Sequence, residues 1–140
     1  MSDNRGSTVI SCLTYRDAPR MLQWLCEAFG FQRNAVYEDG IGGIAHAELT
    51  LGSGMIMMGS EKKDGAFAKL QSTPARLKGT TQSPYLVVPD ADAVHARVVA
   101  LGGEIVIAIE DQPHGGRAFS CRDPEGHLWN VGTYDPWAPK

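Results

Sequence analysis

With 140 residues and 43% hydrophobic content, the chain has the size of one ordinary globular domain and enough apolar mass to bury a core. A net charge of −3 with scattered basic residues gives no electrostatic footprint for nucleic acid. No apolar run approaches a bilayer span, and the polar start from Met1 to Ser7 lacks a signal-peptide core, so the expectation is a cytoplasmic protein without nucleic-acid or membrane partners.

In chain order, Thr8 to Thr14 reads as a strand. Arg16-Asp17-Ala18-Pro19 then supplies an acidic cap with proline in the first helical turn, and Leu22, Leu25, Cys26 and Phe29 recur at helical spacing before Gly30. Three shorter strands follow, around Asn34 to Tyr37, Gly43 to Leu51 and Met55 to Met58, separated by turns at Asp39-Gly40 and Gly52-Ser53-Gly54. The polar segment Ser60 to Gln82 is long for a connection inside a compact domain and reads either as a lid over a cleft or as a linker with a helical turn. The order then repeats. Tyr85 to Val88 is a strand, Asp90 or Asp92 a cap, Val94, Val98 and Leu101 a buried stripe, and Gly102-Gly103 a stop. Strands near Glu104 to Ile109, Arg117 to Arg122 and His127 to Gly132 complete the second half.

The repetition has a fixed period: Asp17 and Asp90, Gly30 and Gly103, and Gly59 and Gly132 are each 73 positions apart. A long period present twice marks a duplicated supersecondary module rather than an open array. Both halves read βαβββ, module one over about 8–59, linker 60–82 and module two over about 83–134, within a single domain 1–140. Two such modules back to back enclose a cleft, where function is expected.

His46 and Glu48 alternate on one strand, opposite the apolar set Ala45, Ala47, Leu49 and Leu51, so the pair is expected to face the cleft if that set lies under helices. Glu48, partnered by His46, would serve as a metal-free proton acceptor if burial raised its pKa. Trp24 falls off the first helix stripe. Trp129, Tyr134 and Trp137 cluster near the C-terminal end, Phe67 lies in the linker, and His114, Arg117 and Phe119 surround the penultimate strand. Aromatic walls with a few polar groups suit a flat or amphipathic organic ligand. Trp129 and Phe119 are expected in the core, whereas Tyr134 and Trp137 lie past the last strand, at a cleft rim or a subunit contact. His95 and His127 read as half-exposed or turn-packing side chains. The odd cysteines Cys12, Cys26 and Cys121 have no CxxC spacing and read as reduced, buried thiols. No Gly-x-Ser-x-Gly elbow or phosphate loop is present; Gly40-Ile41-Gly42-Gly43 sits between strands as a hairpin turn.

The paired modules, Tyr15-Arg16-Asp17-Ala18 leading into Trp24-Leu25-Cys26-Glu27-Ala28-Phe29-Gly30-Phe31, and Asp123-Pro124-Glu125-Gly126-His127-Leu128-Trp129 resemble the glyoxalase/bleomycin-resistance/extradiol-dioxygenase superfamily of vicinal oxygen chelate proteins. The resemblance implies an α+β fold of two βαβββ modules forming a cupped mixed sheet with helices on the outer face, commonly paired as a homodimer. It also implies metal ligands on the first and last strand of each module. Those positions fall here at Ile10, Met58, Pro84 and Asn130, which offer no histidine or carboxylate. No cofactor is therefore expected. The leading expectation is metal-independent binding or sequestration of a planar or amphipathic molecule, antibiotics included, in the inter-module cleft by His46, Glu48, Phe67, His114, Arg117, Asn130, Tyr134 and Trp137. The alternative is a glyoxalase- or dioxygenase-type enzyme whose divalent metal sits on noncanonical ligands such as His46, Glu48 and His114.

Overall fold

The computed structural model describes residues 6–140 and divides between Arg76 and Leu77 into two compact units. The first unit contains β1 (Ser11–Tyr15), α1 (Ala18–Phe29), β2 (Gln32–Glu38), β3 (Ile44–Leu51) and β4 (Gly54–Ser60). Helix α1 starts where Asp17 accepts a hydrogen bond from the Arg20 N–H at 3.3 Å, satisfying one of the orphan donors of the first turn. It ends at Gly30, whose φ of 91° is the left-handed conformation that closes a helix back on the Cys26 carbonyl. Its buried face takes in Met21, Leu22, Leu25, Ala28 and Phe29, and also Trp24, which stands edge-on to Phe29 with ring centroids 5.2 Å apart. Trp24 is thus a core residue, not a spare aromatic, because the apolar face is wider than the stripe read from Leu22, Leu25 and Phe29.

The strands of this unit form a sheet in the order β1-β4-β3-β2, with β1 parallel to β4 and the other pairs antiparallel. Leu13, Tyr15, Ala47, Leu49, Ile56 and Met58 are buried on the face toward α1. Ile44 joins them in place of the expected Ala45. Pairing jumps from Tyr37↔His46 to Glu38↔Ile44, so Ala45 is an unpaired bulge residue and the inward phase shifts by one at that point. The Ser60 to Gln82 stretch holds a 3-10 turn (Ala66–Lys69) and the short α2 (Pro74–Leu77). Its first part is fastened to the first unit. Gln71 donates to the Cys12 carbonyl at 3.1 Å, and Arg76 pairs with Glu61 at 2.6 Å.

The second unit repeats the plan with β5 (Tyr85–Val87), α3 (Ala91–Ala100), β6 (Glu104–Asp111), β7 (Arg117–Arg122) and β8 (Leu128–Gly132), in the sheet order β5-β8-β7-β6. Asp90, not Asp92, caps α3 by accepting from the Ala93 N–H at 3.1 Å. The left-handed residue after α3 is Gly102 (φ 86°), one position earlier than the counterpart of Gly30, so the repeat slips at this helix end. Strand register keeps the period: Cys12↔Met57 and Thr14↔Gly59 in the first unit match Tyr85↔Asn130 and Val87↔Gly132 in the second.

The core under α3 gathers Leu86, Val94, Val98, Phe119, Cys121, Trp129 and Val131, with His95 edge-on to Phe119 at 5.0 Å. Asp123 organises the turn before β8. One carboxylate oxygen accepts the Glu125 and His127 N–H groups at 3.0 and 3.1 Å, and the other accepts the Trp129 indole N–H at 3.0 Å. Among the described residues no helix is long and apolar enough to cross a membrane.

Candidate functional site

Each sheet has one face under its helix and one face open, and alternation decides which side chains the open face receives. In the first unit these are Cys12 on β1, Met55 and Met57 on β4, and His46 and Glu48 on β3, with Thr14 of β1 on the same side but buried. His46 Nε2 lies 2.9 Å from Glu48 Oε2, and Asn34 Nδ2 donates to Glu48 Oε1 at 2.7 Å. Asn34 reaches the carboxylate because β2 carries its own register shift, from Arg33↔Leu49 to Ala35↔Glu48. Tyr37 stacks on the His46 ring at 6.0 Å. The hydrogen bond from His46, and then that from Asn34, hold the Glu48 carboxyl below the usual glutamate range. Proton abstraction by Glu48 required the opposite shift. The charged form is instead the one these neighbours favour, which makes Glu48 an anchor for the imidazole and a weak base.

Beside this pair lies a hollow of about 200 Å³, with walls that include Cys12, Met57, Phe67, Gln71, His46 and Lys62. Phe67 leaves 65% of its surface exposed although its ring forms part of the wall. Lys62 Nζ donates to the carbonyl of Ala45 at 3.0 Å, the bulge residue.

The second unit arranges its open face differently. Asn130 is bound on both sides, accepting from Ser120 Oγ at 2.7 Å and donating to Ser83 Oγ at 2.8 Å. Tyr85 lies across Gly132, where a Cβ would come within 2.6 Å of its hydroxyl, and that hydroxyl donates to the Tyr134 carbonyl at 2.7 Å. His114 stands edge-on to Tyr134 at 4.8 Å, and the two share a hollow of about 380 Å³ with Asp135 and Lys140. Trp137 is 93% exposed and is not part of that wall.

The structure therefore brings His46, Glu48 and Phe67 together in the first unit, and His114 with Tyr134 in the second. Arg117 stands apart from both. It shares strand parity with the core residues Phe119 and Cys121, and its guanidinium pairs with Asp92 at 3.0 Å and Asp111 at 3.4 Å. Sequence reasoning missed Cys12, Asn34, Met57, Lys62, Gln71, Ser83, Tyr85 and Ser120. Parity against the buried residues of each strand would have found Cys12, Met57, Tyr85 and Ser120; nothing local announces the others.

The metal that the family resemblance implies can be tested against the donors. Met58 is buried under α1 at 3% exposure, so the position expected at Met58 belongs to Met57. The matched open-face pairs are then Cys12 with Met57 and Tyr85 with Asn130. A thiol, a thioether, a phenol and an amide already engaged by serines do not make the histidine and carboxylate set that zinc or iron of this type requires. His46 and Glu48 are spent on each other. Among the described residues no group of three His, Cys, Asp or Glu side chains is placed to hold a metal ion.

Comparison with known proteins agrees with this architecture. An uncharacterized protein of Mycobacterium bovis is 34% identical over 91 residues, which are 65% of this chain and 59% of that protein; the match thus spans less than two thirds of the relative's length. TioX from Micromonospora sp. ML1 has a crystal structure with a TM-score of 0.69 at 32% identity, covering 91% of this chain and 98% of that one. Lactoylglutathione lyase from Agrobacterium tumefaciens shares the fold alone, with a TM-score of 0.64 at 17% identity over 96% of this chain and 98% of its own. A protein-family model described as the Glyoxalase/Bleomycin resistance protein/Dioxygenase superfamily matches residues 8–131. With two βαβββ units in the same strand register and a family match that runs through both, the chain belongs to the Glyoxalase/Bleomycin resistance protein/Dioxygenase superfamily.

Proposed function

We propose that this protein binds and sequesters a small amphipathic organic molecule without the aid of a metal, in the manner of bleomycin-resistance proteins. One observation carries the reading: the open face of the first sheet sets an oriented His46–Glu48–Asn34 group beside a hollow walled by Met57 and the largely exposed Phe67. Sites for drug-like molecules combine apolar surface with a few fixed polar groups. Aromatic surface left exposed beside such groups is stabilised when a ligand covers it. The proposal extends to a cytoplasmic homodimer, the pairing being what the family resemblance implies.

A library of aromatic antibiotics and planar amphiphiles, screened by thermal shift and followed by titration calorimetry, tests the proposal. A binder raises the melting temperature with the logarithm of its concentration over Kd. Phe67→Ala should remove about 1.5 to 3 kcal/mol of that binding, tenfold or more in affinity. Elemental analysis of the dialysed protein belongs to the same experiment. One divalent ion per chain would replace this reading with the metal-dependent glyoxalase- or dioxygenase-type enzyme.

A further inference from the structure

The wall of the first unit's hollow carries one ammonium, Lys62, and one imidazole, His46, and no carboxylate. The acids nearby lie outside that wall, with their oxygens engaged by other groups. Glu48 is bound by His46 and Asn34, and Glu61 by Arg76. Asp39 accepts the N–H groups of Ile41 and Gly43 at 2.8 Å each.

The ammonium is held in place by the fold. The bulge at Ala45 leaves that residue unpaired in the sheet, and its carbonyl accepts Lys62 Nζ at 3.0 Å. An ammonium has three N–H donors and the carbonyl takes one, so the others remain for a ligand. His46 is oriented as well: with Nε2–H given to the Glu48 carboxylate, Nδ1 of the neutral ring is an acceptor, so the donor for an anion in this wall is Lys62. The Met57 thioether and the Phe67 ring line the same hollow and supply its apolar surface.

We infer that the hollow on the first sheet selects amphipathic anions, with an aromatic body against Met57 and Phe67 and a carboxylate or phenolate group at Lys62. The inference rests on the proposed binding function and adds the sign of the ligand's charge. A charge-assisted hydrogen bond is roughly twice as strong as a neutral one. A cationic ligand, by contrast, would meet Lys62 with no carboxylate in the wall to offset it.

Three probes that share a naphthalene body test this by calorimetry on the intact protein: 2-naphthoate, neutral 2-naphthamide and cationic 2-naphthylmethylammonium. The naphthoate is expected to bind about tenfold more tightly than the amide, the ammonium compound more weakly than both, and the naphthoate's advantage to shrink with salt. Lys62→Gln should abolish the advantage by weakening the naphthoate about tenfold more than the amide, and Lys62→Arg should restore it. Circular dichroism of each variant confirms that the fold is retained. If amide and carboxylate bind equally, or the preference survives in Lys62→Gln, the charge inference is overturned and the binding function stands. If none of the three binds the wild-type protein, both fall.

Discussion

Glu48 and Asp123 show how differently two carboxylates serve one chain. Glu48 is held ionised by His46 and Asn34 on an open face, so its stabilising contribution is fully present above its ordinary pKa of 4.5. It is lost as pH falls through the lowered folded value. His46→Ala should therefore raise the Glu48 pKa toward 4.5 in a carboxyl-detected NMR titration and reduce the acid sensitivity of the melting temperature. An unchanged Glu48 titration would mean that the imidazole contact does not persist in solution. Asp123, only 3% exposed, instead satisfies two turn amides and the Trp129 indole inside the second unit. Asp123→Ala leaves those donors without an acceptor and should cost about 3 kcal/mol in a urea melt, with Asp123→Asn less damaging because an amide oxygen still accepts.

At the scale of elements, period-2 alternation is the device that makes a binding face out of a sheet that also closes a core. Leu49 is fully buried beneath α1 while its neighbour Thr50 points to the other face. Leu49→Ala should cost about 3 kcal/mol and Thr50→Ala less than about 0.5 kcal/mol by chemical denaturation. The cysteines divide by the same rule. The reading of all three as buried thiols holds for Cys121, whose pKa burial pushes up to about 12, and fails for Cys12, which is exposed on the open face of β1. A maleimide should label Cys12 in the folded protein within minutes and Cys121 only after unfolding, as mass spectrometry of the labelled peptides would show. Protection of Cys12 by a bound naphthoate would place that probe at the hollow. The bulge at Ala45 has a comparable effect on β3, exchanging Ile44 for Ala45 in the core and presenting a carbonyl to Lys62.

For the whole molecule, the division between Arg76 and Leu77 falls within the stretch that sequence reading treated as a single linker. Its N-terminal part is held by Gln71 and Arg76, whereas residues 77–82 are exposed and include Lys78 in a left-handed conformation (φ 58°). Exposed backbone with few partners is where proteases cut first. Limited trypsin digestion should therefore cleave after Lys78 before any site inside β1 to β4 or β5 to β8, yielding two fragments by mass spectrometry. Early cleavage at Lys62 or Lys69 instead would show that the segment is not fastened to the first unit.

The sequence by itself determined the order and type of the elements and the duplication. Caps, glycine stops and apolar periods are local properties, and Asp17, Gly30 and Asp90 act in the fold as their neighbours in the chain require. It also determined that His46 and Glu48 share one face of a strand, which follows from spacing; of the ligand positions that the resemblance implied, Asn130 kept its place while Ile10, Met58 and Pro84 gave way to Cys12, Met57 and Tyr85. Tertiary structure alone decided the rest. Trp24 became core because Phe29 and the sheet close over it, Arg117 was drawn to Asp92 by strand parity, and Asn130 was saturated by serines ten and forty-seven residues away. Glu48 had its pKa lowered, not raised, by the hydrogen bond from His46 and then by that from Asn34, which a register shift in the neighbouring strand brings to it. Bulges and long-range partners depend on how separate segments pair, and that free energy is not written in any one window of the chain.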